Sequence, residues 1–194
     1  MGDSWDDYAE EWDTNSEAIA YSAMVFESLL NEVDIEGSNI FDFGCGTGLL
    51  TERMSPLADR IVALDSSAKM IDVLEFKNLP NVVSISEPLT SQLIGRNPEF
   101  VNKFNVIVAS SVFSFLPEHV SILKLLKSLL VPDGLLLQWD WLSPEPDSEF
   151  GLSETNARES LKEAGFNQVS ITNPFSLTSS KGTMPVVMGL AKNA

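Results

Sequence analysis

Short apolar runs recur along this chain at the length of a strand: Ile40 to Phe43, Ile61 to Leu64, Val82 to Ile85, Val106 to Ala109 and Leu135 to Leu137. Runs of that kind suit strands covered on both faces, because a half-exposed strand alternates polar with apolar residues. Helical patterns lie between them at about 47–55, 66–78 and 118–131. The last is built on Val120, Leu123, Leu126 and Leu130 and closed by Pro132-Asp133-Gly134. Residues 87–103 leave room for only a short helix. Strand alternating with helix predicts an α/β chain with a parallel sheet and helices on both faces. A helix near 153–164 ends at Gly165, and segments 167–173 and 184–191 then follow with no clear helix between them, so they should pair antiparallel.

The ends of this frame are less regular. Trp5, Tyr8 and Trp12 fall at i, i+3 and i+7, the spacing of one face of a helix over residues 3–13 whose other face is acidic. Thr14 and Glu17 read as a capping box opening a helix with Ile19, Ala23, Phe26, Leu30 and Val33 as its apolar face, ended by Gly37. Leu142 to Leu152, with two prolines and three acids, reads as a mobile loop after the fifth strand.

Composition bounds the function. At 194 residues, 44 % of them hydrophobic, there is material for one compact core. Twelve Lys and Arg against 28 Asp and Glu give a net charge of −16, which disfavours a nucleic-acid partner, since phosphate binding needs cations. Residues 1–52 hold thirteen acids and no Lys or Arg, the opposite of a basic leader peptide. No apolar run approaches the ~20 residues that span a bilayer, so no membrane partner is expected. A single cysteine, Cys45, permits no intrachain disulfide and fits a reducing, cytoplasmic setting.

The sharpest chemical signal is Phe41-Asp42-Phe43-Gly44-Cys45-Gly46-Thr47-Gly48-Leu49, set between a strand and a helix. Glycines there let backbone approach a ligand closely, and the amides of a turn entering a helix suit an anion or a polar ligand terminus. A dinucleotide motif would place its third glycine one residue later, so NAD and an oxidoreductase are disfavoured. Asp65 closes the second strand about twenty residues on, where a carboxylate can accept hydrogen bonds from ribose hydroxyls. The plainer alternatives are an ordinary strand-to-helix turn and an N-cap beside Ser66 and Ser67.

The chain here resembles the class I S-adenosylmethionine-dependent methyltransferases over nearly its whole length. The resemblance rests on FDFGCGTG, ALDSS, NVVSISEPL, FNVIVASSVFSFLPE and PDGLLLQWDW, and on the opening WDDYAEEWD. It implies a Rossmann-like seven-stranded sheet in the order 3-2-1-4-5-7-6 with strand 7 antiparallel. It also implies one domain, in which residues 1–36 form a helical cap or lid on a core of residues 37–194. S-adenosylmethionine is the implied cofactor. Asp42 and the backbone of Gly44, Cys45, Gly46, Thr47 and Gly48 would face its methionine moiety, with Asp65 on the ribose and Ser66 and Met70 beside the adenine. Ser86 and Glu87 follow the third strand, where Glu87 would contact the adenine amino group. Ser110 and Ser111 would line the cofactor near its sulfonium.

A sulfonium is already an activated methyl donor, so the protein's work is positioning, and a base is needed only for acceptors such as hydroxyls. The candidates for that role are His119, the only histidine, and Asp140, at the end of the fifth strand between Trp139 and Trp141. The alternatives are a solvated helix-start residue for His119, and core indoles with a turn-capping carboxylate for the other three. Trp5, Tyr8 and Trp12 suit a lid or acceptor wall, while Cys45 has no expected redox role and no metal cluster is foreseen. The expected activity is methyl transfer to a small molecule, cationic or neutral rather than anionic because of the acidic surface. A protein methyltransferase and a non-catalytic cofactor-binding subunit are the alternatives. Oligomeric state is left open.

Overall fold

The computed structural model describes residues 5–143, 151–179 and 182–194. The chain divides into two compact units, Met1–Leu89 and Thr90–Ala194. In the first, a 3-10 turn at Trp5–Asp7 and α1 (Ala9–Trp12) precede the long α2 (Ser16–Glu32); β1 (Asn39–Phe43), α3 (Leu49–Met54), β2 (Arg60–Asp65), α4 (Ala68–Phe76) and β3 (Val82–Ser86) follow. The second holds α5 (Ser91–Arg96), a 3-10 turn at Pro98–Phe100, β4 (Phe104–Ser110), a 3-10 turn at Phe113–Phe115, α6 (His119–Leu129), β5 (Leu130–Trp141), α7 (Glu154–Glu163), β6 (Gln168–Ser179) and β7 (Gly182–Lys192). The strands form a seven-stranded sheet in the order β3-β2-β1-β4-β5-β7-β6, the order the resemblance implied. β7 runs antiparallel to both β5 and β6.

In the first unit the apolar residues of β1 and β2 are buried as strands flanked on both sides should be: Ile40, Phe41, Ile61, Val62 and Ala63 are all fully covered. The register sets the site. Phe43 pairs with Leu64, and Gly44 and Cys45 both donate their amides to the Leu64 carbonyl, so the glycine turn leaves β1 alongside the residue that precedes Asp65.

Four expectations for the N-terminal stretch are corrected. Residues 5–12 form a 3-10 turn and a four-residue helix rather than one continuous helix. The N-cap of α2 is Asn15, whose side chain accepts from the amides of Glu17 and Ala18, while the Thr14 hydroxyl donates back to the Glu11 carbonyl. The buried face of α2 is Tyr21, Val25 and Leu29 with Ser22 and Ser28; Leu30, on the expected face, is 43 % exposed. The helix ends at Glu32 with Val33 as its C-cap, several residues before Gly37.

In the second unit β4 and β5 pair in parallel from Val106↔Leu135 to Ser110↔Trp139. A register shift before Val106 puts Pro132, Asp133 and Gly134 inside the extended β5, with Asp133 at φ +64. The Asn193 amide to Gly134 and the Asp133 amide to Asn193 hold that irregularity. α7, in the region of the helix expected near 153–164, starts at the Ser153 cap, which accepts from the Asn156 amide. The loop expected over Leu142 to Leu152 is closed at its base, where the Leu152 amide donates to Trp141 and the Ser143 amide to Leu152; residues 144–150 of it lie outside the described residues.

Candidate functional site

The glycine turn and Asp65 come together in the first unit. Asp65 Oδ2 accepts the Gly46 amide at 2.9 Å and Oδ1 accepts the Ser67 amide at 2.9 Å, so one carboxylate organises the turn after β1 and the entrance of α4 at once. Gly44, Gly46 and Gly48 all have positive φ. At Gly48, with φ +81, an added Cβ would lie 2.3 Å from Leu74 Cδ1; any side chain there collides with α4. At Gly46 the same atom would meet only Met70 Sδ, at 3.9 Å, which leaves the backbone free to face a ligand. Ser67 caps α4 by accepting the Met70 amide.

Asp42 stands beneath the turn. It is 1 % exposed, and its Oδ2 accepts the Thr51 hydroxyl at 2.6 Å. Burial pushes its carboxyl up to about 7, against the Thr51 hydrogen bond, which lowers it, with Asp65 adding to the rise. Its hydrogen-bond partner is therefore on α3. Cys45 is part-buried, and burial, with Asp42 and Asp65 nearby, pushes its thiol well above the usual range, so it stays a neutral small side chain. Ser66 and Ser86 are exposed, Glu87 is half-buried just past β3, and Met70 is buried against the turn.

Sequence patterns missed how the N-terminal stretch is fastened. The Ser67 hydroxyl donates to Asp6, and the Thr47 hydroxyl of the glycine turn donates to Asp13. Asp13 also pairs with Lys77 at 2.8 Å, and Lys77 with Glu52 at 3.0 Å. Trp5 lies 6.1 Å from Tyr8 and edge-on to Trp12 at 5.8 Å. The expected trio therefore forms a cluster even though no single helix carries it, and Trp5 and Tyr8 remain exposed. Only the excess of acids in this stretch hinted at the contacts; hydroxyl–carboxylate pairs at such separations leave no periodicity.

The other sequence-predicted residues lie in the second unit. Ser110 ends β4, and Ser111 follows at φ +57 with its amide donating to the Trp139 carbonyl. Trp139 is wholly buried, which corrects its expected place at the acceptor, while Trp141, two residues on, is half-buried. Asp140 is fully buried; its Oδ1 accepts the Ser114 amide at 3.0 Å, capping the Phe113–Phe115 turn. Burial pushes its carboxyl up to about 7, in spite of hydrogen bonds from Ser114 and Phe113 that lower it. His119 opens α6, packs edge-on against Phe113 at 5.9 Å, and lines an open groove of about 400 Å³ with Glu118, Asn156 and Glu159. Among the described residues no group of His, Cys, Asp and Glu is arranged to hold a metal, and no helix is long and apolar enough to cross a membrane.

Residues 41–136 match a family described as a methyltransferase domain. An uncharacterized methyltransferase of Schizosaccharomyces pombe is 32 % identical over 110 residues, covering 54 % of this chain and 39 % of its own length. A ubiquinone biosynthesis O-methyltransferase of Xanthomonas euvesicatoria is 25 % identical over 119 residues, covering 60 % of this chain and 48 % of its own. The chain thus matches less than half the length of either relative. In fold it is similar to a SAM-dependent methyltransferase from Aquifex aeolicus, with a TM-score of 0.71, 20 % identity and full coverage of both chains. It is also similar to the N-methyltransferase NodS from Bradyrhizobium japonicum in complex with S-adenosyl-L-homocysteine, with a TM-score of 0.72, 15 % identity and coverage of 98 % and 99 %. With its strand order, its glycine turn and the matched domain, the chain belongs to the class I S-adenosylmethionine-dependent methyltransferases.

Proposed function

We propose that this protein binds S-adenosylmethionine through the Gly44–Gly48 turn and Asp65 and transfers the methyl group to a small molecule. The observation that carries the reading is the Asp65 carboxylate bridging the Gly46 and Ser67 amides. Each of its oxygens accepts one backbone N–H, and a carboxylate oxygen has capacity for a second donor, so two ribose hydroxyls fit the side left over. The turn fits the rest of a nucleoside ligand, since Gly46 has no crowding neighbour where a Cβ would stand. When bound, S-adenosylmethionine supplies a methyl group activated by its sulfonium.

The chain's own part is to orient and enclose. Met70 and the capped start of α4 form the floor beside Asp65. The N-terminal stretch, fastened to the turn and to α4 by Asp13 and Asp6, is suited to act as a lid, with Trp5, Tyr8 and Trp12 as its apolar face. A small acceptor agrees with the acidic balance and with relatives named for O-methylation in ubiquinone biosynthesis and N-methylation. The test is methyl transfer from labelled S-adenosylmethionine into a cell extract separated by size. Label in the low-molecular-weight fraction supports the reading, label in protein replaces the acceptor class, and no label with intact cofactor binding favours a non-catalytic subunit.

A further inference from the structure

The segment after β4 is pinned to β5 at two consecutive residues. The Ser111 amide donates to the Trp139 carbonyl at 2.6 Å, and the Ser114 amide donates to Asp140 Oδ1 at 3.0 Å. At the first of these ties Ser111 adopts φ +57, a left-handed conformation that a serine reaches only at a cost, so the path of this segment is imposed by its anchors. The turn so held, Phe113–Phe115, buries Phe113 and leaves Phe115 53 % exposed. β4 and β5 are parallel neighbours, so the turn and Asp140 sit at the carboxyl end of both, the edge at which open α/β sheets receive ligands.

We infer that Asp140 is a positioning residue for the acceptor, fixing the Phe113–Phe115 turn so that Phe115 presents an apolar wall to it, and that the acceptor accordingly carries an aromatic or other flat apolar group. This rests on the methyltransferase reading above. The geometry argues against Asp140 as the base. A base must reach the acceptor's proton, yet this carboxyl is wholly buried, its Oδ1 is engaged by the turn, and its Oδ2 has no hydrogen-bond partner among the described residues. Burial favours its neutral form, and a neutral carboxyl caps a backbone amide through its carbonyl oxygen, as an asparagine amide does. The exposed Phe115 alone would mean little, since single exposed apolar residues are common; a strained, doubly tied segment holding it out is the unusual feature.

The experiment compares wild type, Asp140→Asn, Asp140→Ala and Phe115→Ala by three measurements: hydrogen exchange of the Ser114 amide, calorimetric binding of S-adenosylhomocysteine, and transfer of labelled methyl to the low-molecular-weight fraction of an extract. The expected result is at least tenfold faster exchange at Ser114 in Asp140→Ala, with protection restored in Asp140→Asn. Transfer should fall at least tenfold in Asp140→Ala and Phe115→Ala, the Asn variant should exceed the Ala variant at least tenfold, and homocysteine-nucleoside affinity should stay within threefold. Equal Ser114 exchange in wild type and Asp140→Ala, or activity lost as fully in Asp140→Asn as in Asp140→Ala, would overturn the inference. Failure of the wild type to bind S-adenosylhomocysteine would instead remove the reading beneath it.

Discussion

The Gly46 amide donates to Asp65 Oδ2 across nineteen residues of sequence, tying the turn after β1 to the end of β2. Replacing Asp65 by Asn leaves one acceptor oxygen for two amide donors and turns an NH₂ group toward the other. Folding stability should fall by about 1–3 kcal/mol, the range for losing a hydrogen bond to a charged group, with the fold kept. Urea unfolding of the variant checks this, and stability equal to wild type would show that the bond is not formed in solution.

Glycine matters for different reasons at two positions that share a left-handed backbone. Gly48→Ala would drive a Cβ to 2.3 Å from Leu74 Cδ1 at φ +81, whereas Gly37, at φ +67, has nothing within 4 Å of the same atom. The first substitution should cost about 2–4 kcal/mol, from backbone strain and overpacking together, and the second about 1 kcal/mol from strain alone. In a Leu74→Ala background, itself destabilised by the lost buried side chain, the added cost of Gly48→Ala should be smaller than in the wild type and that of Gly37→Ala unchanged, as thermal unfolding of the single and double mutants would show.

Two carboxyls set a pH trend in stability. Asp42 and Asp140 are raised from 3.8 to about 7 in the folded chain, so between pH 4 and 7 the native state keeps protons that the unfolded state has released. Stability contributed by these groups therefore falls as pH rises through that window and is level above it. Asp140→Asn removes one of the two, so its stability should decline less steeply than wild type from pH 4 to 7 and run parallel above 7. Parallel curves across the whole range would mean that Asp140 is ionised in the fold.

The fastening of the N-terminal stretch predicts a proteolytic signature. Asp13 accepts from the buried Thr47 hydroxyl and pairs with Lys77, so Asp13→Ala leaves both without that partner. Cleavage within residues 5–14 by a broad-specificity protease should accelerate at least threefold. Glu52→Ala, which removes the exposed second partner of Lys77, should change it less than twofold.

The sheet could be read from the sequence because its central strands are largely buried and so appear as short, mostly apolar runs, and because Gly44, Gly46 and Gly48 follow the first of them. The register that brings Asp65 beside Gly46 follows from that pattern and a parallel sheet. What escaped was set by tertiary contacts. Asn15 rather than Thr14 caps α2 because the Thr14 hydroxyl turns back to Glu11, and both residues are good caps by type. Ile19 and Leu30 sit on the shoulder of α2 rather than its buried face, since serines at 22 and 28 lie on the covered side and blur its periodicity. Trp139 and Asp140 are neighbours in a strand buried on both sides, so composition alone could not tell a core indole from an acceptor wall, nor a turn cap from a base.

The account rests on the turn and Asp65 gripping a nucleoside, and calorimetric titration of S-adenosylhomocysteine into wild type and Asp65→Ala tests it most directly. The prediction is saturable one-to-one binding to the wild type and at least a tenfold loss of affinity in the variant, whose circular dichroism stays that of a folded α/β protein. Equal affinity in both proteins, or no binding to the wild type, would contradict it.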